Sequence, residues 1–253
     1  MHLEMGQKAF TVFKAYVGLL KVINEELTMR VDDTGITVLG MDPSHVAMID
    51  SKVKPGLFEK FTPPEGDGLI TINLSEFSKF LDRVEKETVQ IDYDAEQAKL
   101  NIIAKTGGRN RRFSLPILEP LDEEVPRPKI FFKSEARVLT QSVSRAIKDA
   151  ELVSEHIGIS IEVEMLKFVG KGDLGSAINE YTKDSDEILE IKSEEDSSAT
   201  YTLSYLADMF AQLKNLADVI TLEMSSDMPL KIVAEPNDLN LEVTFYLAPM
   251  IGV

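Results

Sequence analysis

An internal repeat, at an offset of about 130 residues, constrains this chain more than any other feature. Ile72-Asn73-Leu74-Ser75-Glu76-Phe77-Ser78-Lys79-Phe80-Leu81 matches Tyr201-Thr202-Leu203-Ser204-Tyr205-Leu206-Ala207-Asp208-Met209-Phe210. Earlier in each half, Gly35-Ile36-Thr37-Val38-Leu39-Gly40 matches Met165-Leu166-Lys167-Phe168-Val169-Gly170. After each copy of the longer segment comes a stretch of alternating apolar and polar residues, Val89 to Ile103 and Val219 to Val233, the period-2 signal of half-buried strands. Each half therefore reads strand, helix, strands, helix, strands. The predicted helices span approximately 9–24, 74–84, 135–149 and 204–216, and Ser75 and Ser204 stand as capping-capable residues at two helix starts.

The halves join through Pro116-Ile117-Leu118-Glu119-Pro120-Leu121-Asp122-Glu123-Glu124-Val125-Pro126-Arg127-Pro128, whose prolines and consecutive acids cannot form a regular element. Ile117, Leu118, Leu121 and Val125 make it more apolar than a solvated linker needs, so it is expected to lie against the protein surface. The organisation is thus a domain at 1–116, a connector at 117–128 and a second domain at 129–253. With 253 residues and 43% apolar content, the chain has enough material for two cores.

Charge sharpens the reading. The formal net charge is −16, which by itself argues against a polyphosphate ligand. The charge is not evenly spread. Lys14 and Lys21 give the first predicted helix +2. The second and fourth are neutral, and Arg137, Arg145 and Lys148 leave the third at +1. The helices thus sum to +3 and the remainder carries −19. On a helical wheel of the third, Leu139, Val143, Ala146 and Ile147 share one face, opposite Arg137, Gln141, Ser144, Arg145 and Lys148. For one helix, a solvated basic face is the ordinary outcome. Segregation repeated across both halves points further, to a positive concave surface in an acidic body.

Other signals carry less. The chain has no cysteine, which removes disulfides, thiolate metal sites and cysteine nucleophiles. No apolar run reaches membrane-spanning length, and the first residues lack a secretory pattern. The expected compartment is therefore cytoplasmic or nuclear. Gly170-Lys171-Gly172-Asp173-Leu174-Gly175 spells a dinucleotide-type motif, but an alternating, strand-like run follows it where a helix is needed, so it reads as a turn. His2, His45 and His156 have no metal-ligand spacing, and no catalytic constellation stands out, so neither cofactor nor metal is expected. A nucleotide-using enzyme and an acidic interaction protein without a nucleic-acid role remain the competing classes.

Gly35-Ile36-Thr37-Val38-Leu39-Gly40-Met41-Asp42-Pro43-Ser44-His45-Val46-Ala47, the segment Met228-Pro229-Leu230-Lys231-Ile232 and the ending Phe245-Tyr246-Leu247-Ala248-Pro249 resemble archaeal and eukaryotic sliding clamps of the proliferating-cell-nuclear-antigen family. The resemblance runs from residue 1 to 251, including the repeat and the connector. It implies an α+β fold of two clamp domains, with helices lining an inner face and antiparallel sheets outside, three chains closing a ring around duplex DNA. Such a ring is a polymerase processivity factor and docking platform, not an enzyme. It works in the cytoplasm or nucleoid of an archaeon, or in a eukaryotic nucleus.

The resemblance and the helix wheels together give the DNA-facing set Lys14, Lys21, Lys79, Arg83, Arg137, Arg145, Lys148 and Lys214. Phosphate contacts of this kind position without reading sequence. The resemblance further implies that Arg109, Arg111, Phe113 and Leu115 pair with Ala177, Ile178, Glu180 and Tyr181 of a neighbour, either this chain again or a paralogue. Arg109, Arg111 and Arg112 beside Glu180 would suit a seam of opposite charge, and a place for these arginines at the DNA opening is the alternative. A groove for short glutamine/aromatic peptides would use Met41, Ser44, His45, Val46, Leu118, Leu121, Pro229, Tyr246, Leu247, Ala248, Pro249 and Ile251. The implied partners are DNA polymerase, the clamp loader, flap endonuclease and DNA ligase.

Overall fold

A computed structural model describes residues 1–253 except 86, 121–124, 174, 236–239 and 252–253. In chain order the first elements are β1 (His2–Met5), α1 (Gln7–Ile23), β2 (Glu26–Asp32), β3 (Gly35–Met41), β4 (Ala47–Val53), β5 (Lys60–Thr62), β6 (Leu69–Asn73), α2 (Leu74–Leu81), β7 (Thr88–Asp94), β8 (Lys99–Thr106) and β9 (Arg109–Pro116). The series then repeats as β10 (Ser134–Leu139), α3 (Thr140–Glu151), β11 (His156–Glu162), β12 (Met165–Gly172), β13 (Gly175–Thr182), β14 (Ile188–Ser193), β15 (Ser197–Thr202), α4 (Leu203–Leu213), β16 (Val219–Met224), β17 (Leu230–Glu235) and β18 (Leu241–Leu247). Each pass has the same order of elements, so the repeat read from short segments extends to the whole architecture. The class is α+β, with antiparallel pairing at every register given for these strands.

Two compact units result. One comprises Met1–Pro43, Ile49–Val125 and Asp238–Glu242, and the other Ser44–Met48, Pro126–Asn237 and Val243–Val253. In the first, strands run β5-β1-β7-β8-β9 in one sheet, and β4-β3-β2-β6 are successive neighbours in another. In the second, β14-β10-β16-β17-β18 are successive neighbours, and β13-β12-β11-β15 form a four-stranded sheet. Pairings recur: β1 with β7 and β10 with β16, β2 with β6 and β11 with β15.

Helices form where apolar residues recur at helical spacing. In α1, Phe10, Phe13, Val17 and Leu20 are buried, and Phe13 meets Phe58 and Phe77 edge-on at 6.0 and 6.4 Å. Each such side chain removed from water contributes roughly 1.5–3 kcal/mol. Helix α2 packs on α1 in the first unit, and α3 on α4 in the second.

Three expectations about helix ends are corrected. The α2 cap is Asn73, whose side chain accepts from the Glu76 amide at 2.9 Å, and Ser75 is already the second residue of the helix. Helix α4 spans Leu203–Leu213, so its N-cap position is Thr202, which makes no side-chain cap bond, and Ser204 is already the second helical residue. Helix α3 begins at Thr140, not at 135, because Ser134 to Leu139 alternates buried and half-buried and pairs with β14 and β16 as β10.

The connector leaves β9 with Ile117 N–H donating to the Ala98 carbonyl and Leu118 N–H to the Thr71 carbonyl, both at 2.9 Å. Its start therefore lies against the first unit. Leu121 lies outside the described residues. The glycine-rich motif closes the β12–β13 hairpin, with Gly172 paired to Gly175. A Cβ on Gly172 would stand 1.8 Å from the Val153 carbonyl oxygen, so glycine is required there by close backbone approach rather than by a phosphate.

Candidate functional site

The helix faces come first. On α1, Thr11, Lys14, Gly18 and Lys21 form one solvent-reaching stripe, spaced by three and four residues. Exposed Lys8 joins the same helix. Sequence reasoning missed it by starting the helix at residue 9, where Gly6 as N-cap was the available signal. Helix α1 thus carries three lysines and no acid. Helix α2 exposes Lys79, which holds Glu76 at 2.6 Å, and the turn after it exposes Arg83. Lys14 reaches Asp82 at 2.9 Å. These exposed pairs contribute little to stability and exchange readily with another anion.

In the second unit, α3 buries Val143, Ala146, Ile147 and Ala150 and exposes Gln141, Arg145, Lys148, Asp149 and Glu151. Arg145 reaches Glu187 at 2.8 Å. Lys214 is the exposed C-cap of α4, and Asp208 is exposed on the same helix. Helices α2 and α3 are neutral by formal charge and α4 carries −1, so α1 holds most of the positive face. Among the described residues, Lys8, Lys21, Arg83, Lys148 and Lys214 make no ion pair with a neighbour in the chain.

Arg137 must be removed from that face. It stands on β10, where Ala136 and Val138 turn inward and Arg137 turns the other way. Its Nε and Nη2 donate to the two oxygens of Glu235 at 2.7 and 2.5 Å, and the Thr221 hydroxyl donates to the same carboxylate at 2.7 Å. The Arg137 hydrogen bond, helped by Thr221, holds the Glu235 carboxyl below the usual range against the opposing effect of burial. The helix wheel misplaced Arg137 because strand alternation begins six residues before the helix.

Both strands expected at a subunit boundary are end strands: β9 closes one sheet of the first unit and β13 closes the four-stranded sheet of the second. End strands present unpaired backbone groups, a template for another chain. Their side chains are less free than the sequence suggested. Arg111 Nη2 donates to the Arg83 carbonyl at 2.7 Å and pairs with the Glu87 carboxylate. The Glu85 amide, and then Arg111, keep that carboxyl below its ordinary range. The guanidinium also lies 5.8 Å from the Phe113 ring centre, and Phe113 stacks on Phe80 at 5.3 Å. Leu115 is 3% exposed and belongs to the core of its own unit, which corrects its place among the boundary residues. On β13, Glu180 pairs with Lys167, and the Tyr181 hydroxyl donates to the Ser142 carbonyl at 3.1 Å. Ala177 is half-buried and Ile178 is 54% exposed.

The expected groove residues divide between the units. Met41 at the end of β3 and Leu118 belong to the first, both half-buried. In the second, Ser44 and His45 are exposed, and His45 adopts the left-handed conformation at φ 59°. Val46 is half-buried, and its carbonyl accepts from the Ala248 amide at 2.8 Å. Pro229, Tyr246, Ala248 and Pro249 are half-buried, and Ile251 is 95% exposed. Leu247 is overturned as a groove residue: it is 0% exposed, because alternation along β18 turns it into the core opposite Leu230. Among the described residues, no three acidic or histidine side chains gather as a metal site would require.

Comparison with known proteins covers both halves. The family description "Proliferating cell nuclear antigen, N-terminal domain" matches residues 2–119, and the corresponding C-terminal domain matches 128–250. A DNA polymerase sliding clamp of Nitrosopumilus maritimus is 32% identical over 239 residues, 94% of each chain. One from Methanococcus vannielii is 31% identical over 244 residues, covering 94% of this chain and 95% of the relative. The crystal structure of the Thermococcus kodakaraensis clamp superimposes with a TM-score of 0.87 at 25% identity, covering 98% and 99% of the two chains. The Archaeoglobus fulgidus clamp bound to the C-terminal region of FEN-1 gives 0.87 at 17% identity over 100% and 99%, a likeness of fold alone.

Proposed function

Because the chain belongs to the proliferating cell nuclear antigen family, we propose that it is a DNA sliding clamp, a subunit of a three-membered ring that encircles duplex DNA and holds replication and repair proteins on it. The observation that carries this reading is the match of both halves, over nearly the whole chain, to the two domains of that family. The helix faces support it physically. Lys8, Lys14, Lys21, Lys79, Arg83, Arg145, Lys148 and Lys214 are the cations offered to phosphate, and none of them is locked into a buried pair. Contacts of this kind are exchangeable, which sliding requires, and they hold no base sequence.

The reading assigns no reaction to the chain. It assigns docking. The exposed turn at Ser44 and His45, with half-buried Val46, Pro229, Tyr246, Ala248 and Pro249 and exposed Ile251, offers apolar positions beside a tail that already bonds by its backbone. A short peptide with aromatic anchors would seat there and extend along the tail. A flap endonuclease is one partner class, as the Archaeoglobus fulgidus complex suggests. Polymerase, ligase and the loader are the others. Tethering by a ring raises the local concentration of each at DNA without new contacts to DNA. The site of action is the nucleoid of an archaeal cell, in keeping with the source of the relatives. No helix among the described residues is long and apolar enough to cross a membrane.

Solution mass tests the assembly. Light scattering on the purified chain should give three times 28.2 kDa. A stable dimer or tetramer would contradict a six-domain ring.

A further inference from the structure

We propose that the outer edge of β14 takes an extended, lysine- or arginine-rich segment of a partner protein, which adds to the sheet as one more strand.

Open backbone is the first ground. The strands that end sheets are β5 and β9, β14 and β6, and β13 and β15. Several already have an occupant. The Thr71 carbonyl on β6 accepts from the connector at Leu118. On β15, the Ser198 carbonyl accepts from the Asp227 amide at 3.0 Å, and the Thr200 carbonyl from the Met250 amide at 2.8 Å. The clamp reading gives β9 and β13 to neighbouring subunits. Of the two that are left, β5 is three residues long and β14 is six. Among the described residues, β10 pairs with β14 on one side and no strand pairs with it on the other. Ile188 and Ile191 anchor β14 in the core, so its edge is held in place. An ordered edge with unpaired N–H and C=O groups is a template for an incoming strand.

Charge selects the occupant. Between residues 184 and 196 stand seven acids and one lysine. That lysine, Lys192, is held by Glu190 at 2.8 Å and by Glu135 at 3.4 Å. Asp184 and Asp186 before the strand, and Glu194 and Asp196 after it, are exposed and hold no ion pair among the described residues. A second copy of β14 would bring like charge against like along the whole edge, so the chain is guarded against pairing there with itself. A basic strand instead meets acid at both of its ends.

The side chains along the edge suit such a strand. Arg137 lies opposite Glu190 and Val138 opposite Ile188, which leaves Leu189 as a bulged residue, 46% exposed. It offers an apolar contact at one end. At the other end an open cleft of about 460 Å³ lies among Phe132, Glu135, Lys192, Ser193, Glu194 and Glu223. A lysine or arginine entering it would lay its stem on Phe132 and bring its head to the acidic wall.

Fluorescein-labelled Lys-Val-Lys-Val-Lys-Val-Lys is the probe, a basic peptide of high strand propensity with no glutamine or aromatic anchor. With the full-length chain at roughly 0.15 M salt it should bind, read by fluorescence polarisation. Its fully N-methylated counterpart has the same charge but no backbone donors, and should bind about tenfold more weakly or worse. Amide hydrogen exchange across residues 189–193 should slow when the probe is added. Glu194→Lys/Asp196→Lys should weaken the probe about tenfold and leave the mass by light scattering unchanged. A fluorescent glutamine/aromatic peptide should not displace it. A probe that fails to bind, or a methylated peptide that binds as well, would overturn strand addition, the second by showing attraction through charge alone. Slowed exchange at β9 or β13 instead, or displacement by the glutamine/aromatic peptide, would place the probe elsewhere and overturn the site. None of these results bears on the clamp reading, which the solution mass tests by itself.

Discussion

Leu247 and Tyr246 are neighbours on β18, but alternation separates their roles. Leu247 is 0% exposed and pairs across the sheet with Leu230, whereas Tyr246 is half-buried on the other face. Leu247→Ala removes core volume that rigid strands cannot refill, so it should cost about 2–5 kcal/mol in denaturant unfolding. Any loss of peptide affinity in that variant reports instability. Tyr246→Ala should instead weaken a fluorescent glutamine/aromatic peptide by roughly tenfold while leaving the unfolding midpoint nearly unchanged. If Leu247→Ala unfolds like the wild type, the burial assignment is wrong. If Tyr246→Ala binds normally, the groove is elsewhere. The resemblance treats Tyr-Leu-Ala-Pro as one motif, and the strand divides it residue by residue. Arg137 shows the same effect. A cation three residues before a helix reads as part of it until pairing with β14 and β16 claims it.

At the scale of elements, Asn73 and Ser75 compete for the start of α2. The Asn73 side chain accepts the Glu76 amide, and Glu76 also places an acid in the first turn, where the helix dipole favours it. Asn73→Ala should therefore lower stability by about 0.5–2 kcal/mol. Ser75→Ala should change it by a few tenths, read by the same unfolding curve. Equal effects of the two would reverse the cap assignment. All four helices and the repeat of strands around them were legible from periodicity, because long amphipathic segments have one way to bury their apolar stripe. Helix ends were not. Asn, Ser and Thr all cap, and only the observed backbone at Asn73, φ −77° and ψ 109°, distinguishes the residue outside the helix from the one inside. The basic stripe of α1 was legible except for Lys8. The ties of Arg111 to Glu87 and of Glu180 to Lys167 were not, because they join residues far apart in sequence or on different strands.

For the whole molecule, charge and topology make separable contributions to DNA binding. Each chain carries −16, so a closed ring of three would be strongly acidic, with α1 the helix that carries net positive charge. Open, such a protein should bind duplex weakly and with steep salt dependence, since its phosphate contacts are few and exposed. Closed, it is retained because the duplex passes through it, and salt cannot remove that link. The two contributions predict different variants. Lys8→Ala/Lys14→Ala/Lys21→Ala strips the helix that holds most of the positive face without touching either end strand. It should leave the trimer mass unchanged. Retention of rings already loaded on covalently closed DNA should also survive in roughly 0.5 M salt, a concentration that screens charges beyond a few ångströms. Binding to short linear duplex at low salt should fall, with a shallower slope of affinity against salt. The decisive measurement is retention on the same plasmid before and after linearisation. Rings that leave on cutting, with or without the lysines, establish that topology holds them and that the lysines act on loading and orientation. Rings of the lysine variant that leave intact circles would show that phosphate contacts, not closure, keep this clamp on DNA.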